Sequence, residues 1–208
     1  EVRALCEDTY HNLWVGLKDG KIRIYDKNRT ELGYFTETGT ISHTGVPLKG
    51  NTYCIFQDSK HNIWIATKGE GLVKARPQGG GHYKLTRYCH SRDDIYSLSD
   101  NNVYCVYEDV KGRIWVATFG GGINYLTHNR GGREIFVNHR NNLKGFPIDN
   151  CHKVRFVTGD HRGNIWIATT VGALMVNSDF KKPEDAVFHH YVRVQNAVNS
   201  LSNNDVHY

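Results

Sequence analysis

The sequence predicts an all-β fold, a β-propeller of four four-stranded blades, and three observations carry that reading. Tryptophan recurs at Trp14, Trp64, Trp115 and Trp166, at intervals of 50, 51 and 51 residues, and a fixed period of this size marks stacked modules. Each tryptophan has an aspartate six positions before it (Asp8, Asp58, Asp109, Asp160) and a glycine six or seven after it (Gly20, Gly71, Gly122, Gly172). The segment around each tryptophan, for example Ile63-Trp64-Ile65-Ala66-Thr67, is apolar on both faces. An antiparallel strand of that kind needs cover on both sides. Four-stranded sheets stacked face to face around an axis supply it.

The strands follow in order. In the first module Val2 to Glu7 alternates as a strand, Leu13 to Leu17 is the second, Lys21 to Tyr25 the third, and a fourth lies around Leu32 to Thr36. The second module repeats this with Tyr53 to Gln57, Ile63 to Thr67, Leu72 to Arg76 and Tyr83 to Cys89. The third uses Val103 to Glu108, Ile114 to Thr118, Ile123 to Leu126 and Glu134 to His139. The fourth uses Val154 to Val157, Ile165 to Thr169, Ala173 to Val176 and Val187 to Val192. Short runs rich in Val, Ile, Tyr and Trp, punctuated by Gly, Asn and Asp, are antiparallel meanders. The blades then span about 1–51, 52–102, 103–153 and 154–205.

The turn after each first strand has a mechanism. Aspartate at the start of a type I turn can bond the backbone two residues on. The turns close with His11-Asn12, His61-Asn62, Gly112-Arg113 and Gly163-Asn164, and Gly, Asn and His are types that tolerate a positive φ. A type I turn followed by a left-handed residue closes a hairpin with a bulge. The repeated aspartates, and the histidines beside them, are therefore structural.

Composition sets the outer limits. Hydrophobic residues make up 39% of 208, enough for a core, and 23% are charged. The net charge of +5 comes from scattered residues, with no Lys/Arg run dense enough to track nucleic-acid phosphates. Five cysteines (Cys6, Cys54, Cys89, Cys105, Cys151) are an odd number, and a chain of this length needs no disulfide staples. Cys54 and Cys105 share a strand slot with Ala4 and Phe156. That is a core slot, so free buried thiols are expected.

The core "NNVYCVYEDVKGRIWVATFGGGINYL" (Asn101 to Leu126) resembles the two-component regulator propeller repeat. That family's pattern runs strand, Glu-Asp, a Gly-Asn turn, Leu-Trp-Ile-Gly-Thr and a Gly-Gly-Leu turn. The lead-in "SLSDNN" (Ser97 to Asn102) recurs as "SLSNND" (Ser200 to Asp205). WD-type repeats want aspartate after the tryptophan, where Val or Ile stands here, and kelch repeats want a diglycine in every blade. Departures from the pattern are Leu17, standing where Thr67, Thr118 and Thr169 stand, the shortened turn Thr170-Val171-Gly172, and the insertion-like stretch Asn141 to Lys153.

The resemblance implies a context. Such repeats are found in periplasmic sensor regions of hybrid two-component histidine kinases of gut Bacteroides-type bacteria. There they resemble receptors for oligosaccharides released from complex glycans, controlling the genes that degrade them. The complete receptors are similar to tandem seven-bladed propellers followed by a β-sandwich, a membrane helix and signalling parts, so any kinase activity would lie outside these residues. Val206-His207-Tyr208 follows its lead-in as Val103-Tyr104-Cys105 does, opening a fifth module. The expected architecture is thus a partial arc of a larger, seven-bladed propeller. Bare apolar blade faces on an arc predict self-association.

No catalytic motif stands out: G-x-S-x-G, H-E-x-x-H, a P-loop and paired C-x-x-C are all missing. No cofactor is implied. Of the twelve histidines, the best metal material is Cys89-His90, Cys151-His152 and His189-His190. Neighbours on a strand point to opposite faces, so these pairs cannot chelate together, and no metal site is expected. A binding site belongs at the face carrying the connections from fourth to first and from second to third strands. There Arg92, Phe119, Arg140, Asn141 and Lys144 offer an aromatic platform, planar hydrogen-bonding groups and guanidinium partners for a sugar, acidic sugars included. The plain alternative for each is a solvated loop residue. Three readings follow: a non-catalytic glycan-sensing propeller, a structural or protein-interaction propeller, and a propeller lyase or lactonase, the last requiring convergent metal ligands on the axis.

Overall fold

The computed structural model describes residues 1–208. They form two compact units, one of Glu1–Cys89 with Asn101–Val103 and one of His90–Asp100 with Tyr104–Tyr208.

The first unit holds two sheets. One runs β1 (Val2–Glu7), β2 (Leu13–Leu17), β3 (Ile22–Tyr25), β4 (Glu31–Phe35) and β5 (Ile41–Ser42) in that order, and the other β6 (Asn51–Gln57), β7 (Ile63–Lys68), β8 (Leu72–Gly79) and β9 (His82–Tyr88). The second unit holds β10 (Val103–Glu108, all but its first residue), β11 (Ile114–Thr118), β12 (Gly122–His128) and β13 (Glu134–Val137), then β14 (Val154–Gly159), β15 (Asn164–Thr169), β16 (Gly172–Asn177) and β17 (His189–Tyr191). Every sheet is a sequential meander, and the four are blades of the propeller kind. The tryptophan slot keeps its register: Trp14 pairs with Ile24, Trp64 with Lys74, Trp115 with Tyr125 and Trp166 with Met175.

The structure departs from the sequence reading at the outer strands. The first blade has a fifth strand, because Thr36 to Thr40 folds into a tight turn, with Thr36 N–H on the Thr40 carbonyl at 3.0 Å. The returning chain then reaches the second sheet: Ile41 N–H donates to Gly81 O at 3.2 Å and Tyr83 N–H to Gly39 O at 2.7 Å. The fourth blade's outer strand is only His189–Tyr191, and the Asn141 to Lys153 connection carries a helical turn, α1 (Ile148–Cys151).

The aspartate turns do more than shape the chain. In the first blade Asp8 Oδ1 accepts the backbone N–H groups of Tyr10 and Asn12, both at 2.9 Å. The other oxygen accepts the indole N–H of Trp14 at 2.9 Å. The same indole bond recurs at 2.7 Å (Trp64 to Asp58), 2.9 Å (Trp115 to Asp109) and 3.0 Å (Trp166 to Asp160). The left-handed residues stand where expected, at His11, His61, Gly112 and Gly163. Trp14, Trp64 and Trp115 are fully buried. An indole N–H there without an acceptor would cost about 1–3 kcal/mol, so the clip lets the first three blades bury their largest side chain; Trp166 in the fourth is only half-buried.

Three blades share a second clip. Thr67, Thr118 and Thr169 donate their hydroxyls to the carbonyls of Gly71, Gly122 and Gly172 at 2.7, 2.8 and 2.7 Å. Leu17 has no hydroxyl to do so. All five cysteines are free; Cys105 and Cys151 are buried, but Cys89 is exposed, contrary to the expectation of buried thiols throughout. Burial pushes the Cys6 thiol up to about 11.

Candidate functional site

Three of the four first strands slip by one residue near their start, at Arg3, Tyr53 and Arg155. These positions, with Tyr104 in the third blade, lie eleven residues before the tryptophans. A bulge bends the strand and re-aims the extra side chain. In the first unit Arg3 donates from Nη1 to the Tyr53 hydroxyl at 2.7 Å, and its guanidinium lies 5.0 Å from the Tyr53 ring centroid.

In the second unit the same row builds a richer cluster. Tyr104 stacks on Phe119 with centroids 4.9 Å apart and an interplanar angle of 16°. The Arg155 guanidinium lies 5.3 Å and the Lys153 ammonium 5.7 Å from the Phe119 centroid. Phe119 is held there by its turn: it forms a β-bridge with Lys153, and Gly120 and Gly122 both donate to His152 O, at 3.0 and 2.9 Å. Arg155 also meets the Asp205 carboxylate, Nε to Oδ1 at 3.1 Å and Nη2 to Oδ2 at 3.4 Å. Two ring faces and two cations can receive a flat sugar ring and a carboxylate together. Asp205 is the internal carboxylate that uses this fork.

The other expected site residues sit in a neighbouring loop of the same unit, and most of their polar atoms are engaged. Arg140 donates to Ser91 O at 2.9 Å and Arg92 O at 3.2 Å, and lies 3.2 Å from His90 Nδ1. Asn141 is buried; its amide donates to Ile95 O and Phe136 O, both at 2.8 Å. Lys144 is exposed and reaches His139 O at 3.1 Å. Arg92 is exposed, and its carbonyl is one of the acceptors for Arg140. Arg140 and Asn141 thus fasten the lead-in segment 90–98, and of the five expected residues Phe119 alone joins the aromatic cluster. Burial lowers the pKa of His139 beside them, favouring neutral imidazole.

Sequence pattern does not single out Tyr104, Lys153, Arg155, Arg3 and Tyr53 as site residues. Arg3, Tyr53, Tyr104 and Arg155 share one repeat position, held by arginine or tyrosine among mostly apolar neighbours, and this is the signal that could have found them; Lys153 carries none. The structure has no group of three or more His, Cys, Asp or Glu side chains placed to hold a metal ion.

Fold and repeat define a propeller built of sequential four-stranded modules. The family model described as "Two component regulator propeller" matches residues 47–69 and 97–120 of this chain. A curated relative, histidine kinase P4 of Formosa agariphila, is 30% identical over 71 residues, covering 34% of this chain and 5% of that protein. Among solved structures, the extracellular domain of the candidate hybrid two component system BT3049 from B. thetaiotaomicron matches with a TM-score of 0.68 at 21% identity, covering 92% of this chain and 24% of that one. The corresponding domain of BT4673 from the same organism gives 0.65 at 16%, covering 99% and 24%. A streptogramin B lyase gives 0.64 at 17%, covering 94% and 56%. At these identities the likeness is one of fold. The chain spans about a quarter of the two extracellular domains it matches. No helix is long and apolar enough to cross a membrane.

Proposed function

We propose that this chain is part of the periplasmic ligand-sensing region of a hybrid two-component receptor, binds oligosaccharides including acidic ones, and catalyses no reaction itself. The observation that carries the reading is the cluster of Tyr104, Phe119, Lys153 and Arg155. A sugar ring laid on the aromatic pair would bring a uronate carboxylate to Arg155, exchanging for Asp205. A differential affinity for two receptor states is all that signalling through such a site requires. The match to two-component regulator repeats and the fold of the two B. thetaiotaomicron extracellular domains support this setting.

Calorimetry with uronate-bearing and neutral tetrasaccharides tests it. The expected result is binding of a uronate-bearing fragment that weakens at least about tenfold in Arg155→Ala, the loss usual for truncating a central contact. Failure of every fragment to bind, or turnover of any of them, would overturn the reading.

A further inference from the structure

The two units treat the same aromatic nest differently. In the second unit Trp115, Tyr125 and Phe180 pack together, with Trp115 5.2 Å from Tyr125 and 6.3 Å from Phe180. Arg113 closes that nest: its guanidinium lies 4.4 Å from the Phe180 centroid, 5.6 Å from Tyr125 and 5.7 Å from Trp115. Its Nε donates to Asp109 Oδ2 at 2.7 Å and its Nη2 to the Ser178 carbonyl. A planar cation over ring faces with a carboxylate at its edge is a favourable arrangement.

The first unit has the nest without the cation. Trp14, Phe35 and Tyr83 pack edge to face at 5.2 to 5.5 Å. The residue two before the tryptophan is Asn12, as it is Asn62 and Asn164 in the second and fourth blades, where the third blade has Arg113. Its short side chain turns onto Asp8, Nδ2 to Oδ2 at 3.0 Å, and reaches no ring. In place of the guanidinium there is a cleft of about 380 Å³, lined by Tyr10, Asn12, Leu32, Pro77, His82 and Tyr83. Pro77 is the register equivalent of Ser178, since Trp64 pairs with Lys74 and Trp166 with Met175. The backbone carbonyl that receives Arg113 therefore has its counterpart in the wall of the cleft. The cleft is also braced: the hairpin joining β8 to β9 is bonded to the first sheet at Ile41 and Gly39.

We infer that this cleft receives an arginine side chain from a protein partner, whose guanidinium covers the Tyr83 nest as Arg113 covers its own. The inference concerns the first unit alone and stands apart from the sugar-binding reading. Asp8, buried behind the nest, supplies the negative field. The Asn12 amide oxygen and the Pro77 carbonyl, which already accepts one bond from the Gln78 amide at 3.0 Å and keeps a second lone pair, supply acceptors at the cleft wall. Arginine suits this site better than lysine because a flat, weakly hydrated fork can stack and hydrogen-bond at once.

The test titrates the whole chain with Nα-acetyl-arginine amide and, separately, with Nα-acetyl-lysine amide, following backbone and ring resonances by NMR. Arginine is expected to shift His82, Tyr83 and the Gly79–Gly81 hairpin, with lysine at least about tenfold weaker. Asn12→Arg should abolish the arginine response and raise the melting temperature, because it supplies the internal cation; Arg113 shows that the turn accepts this residue. Equal responses to lysine, shifts confined to other surfaces, or an unchanged response in Asn12→Arg would overturn the inference. So would displacement of these resonances by neutral methyl pyranosides with no effect of arginine.

Discussion

At the scale of single residues, the Asp–Trp clip ties stability to pH. The Trp166 indole N–H, and after it the Asn164 side-chain amide, hold the Asp160 carboxyl well below the usual carboxylate range. In the unfolded chain this group takes up its proton near about pH 3.9. A depressed folded-state pKa contributes stability that is present above that point and is lost as pH falls towards the folded value. The stability gap between wild type and Asp160→Asn should therefore be widest near neutrality and shrink steadily below about pH 4. Urea midpoints measured from pH 6 to pH 2.5 would check this, and a gap independent of pH would contradict it. The carboxylate's part in the turn was legible from its spacing and type. Its bond to the indole was not, because a sequence shows that two residues lie six apart but not that a hairpin bulge folds one onto the other.

At the scale of elements, the turn between second and third strands carries two left-handed glycines in the second blade with opposite surroundings. A Cβ on Gly71 would stand 2.2 Å from the Tyr88 carbonyl, whereas one on Gly69 would meet nothing within 4 Å. Both substitutions to alanine bear the strain of a positive φ, about 1 kcal/mol; only Gly71→Ala adds a collision with backbone. Denaturant titration should place Gly71→Ala below Gly69→Ala by more than about 1 kcal/mol. Similar losses would mean that the backbone of β9 gives way easily. Inner strands were readable almost to the residue because the apolar pattern of Ile63 to Thr67 and Ile114 to Thr118 admits one register. The outer strands were not: β5 pairs with β4, and beside it Ile41 N–H donates to Gly81 while the Gly39 carbonyl accepts from Tyr83, contacts with a different sheet that local pattern does not encode. The cluster around Phe119 fell between these cases. The chemistry of the ring is legible, but Tyr104 and Arg155 read as ordinary strand residues, since neither the slip at Arg155 nor the bridge between Phe119 and Lys153 is written in the local pattern.

At the scale of the whole molecule, apolar side chains remain in water on both units. Val2 and Leu5 on β1 are 53% and 61% exposed, and Val187 and Val194 are 64% and 53% exposed. Exposed apolar side chains such as Val2 and Leu5 on one strand favour association. Sedimentation velocity over a rising concentration series should show growth of a larger species, and Leu5→Glu should move that growth to higher concentration. A single monomer boundary throughout would remove the expectation.

The Asp–Trp clip has one more consequence, in the history of such genes. Its partners are six residues apart, so duplication of one module copies donor, acceptor and turn together. A new copy arrives with its tryptophan already satisfied and needs no compensating change elsewhere. Modules of this kind can be gained or lost whole while their connecting loops diverge freely, and in this chain the loops are where the four copies have drifted furthest apart.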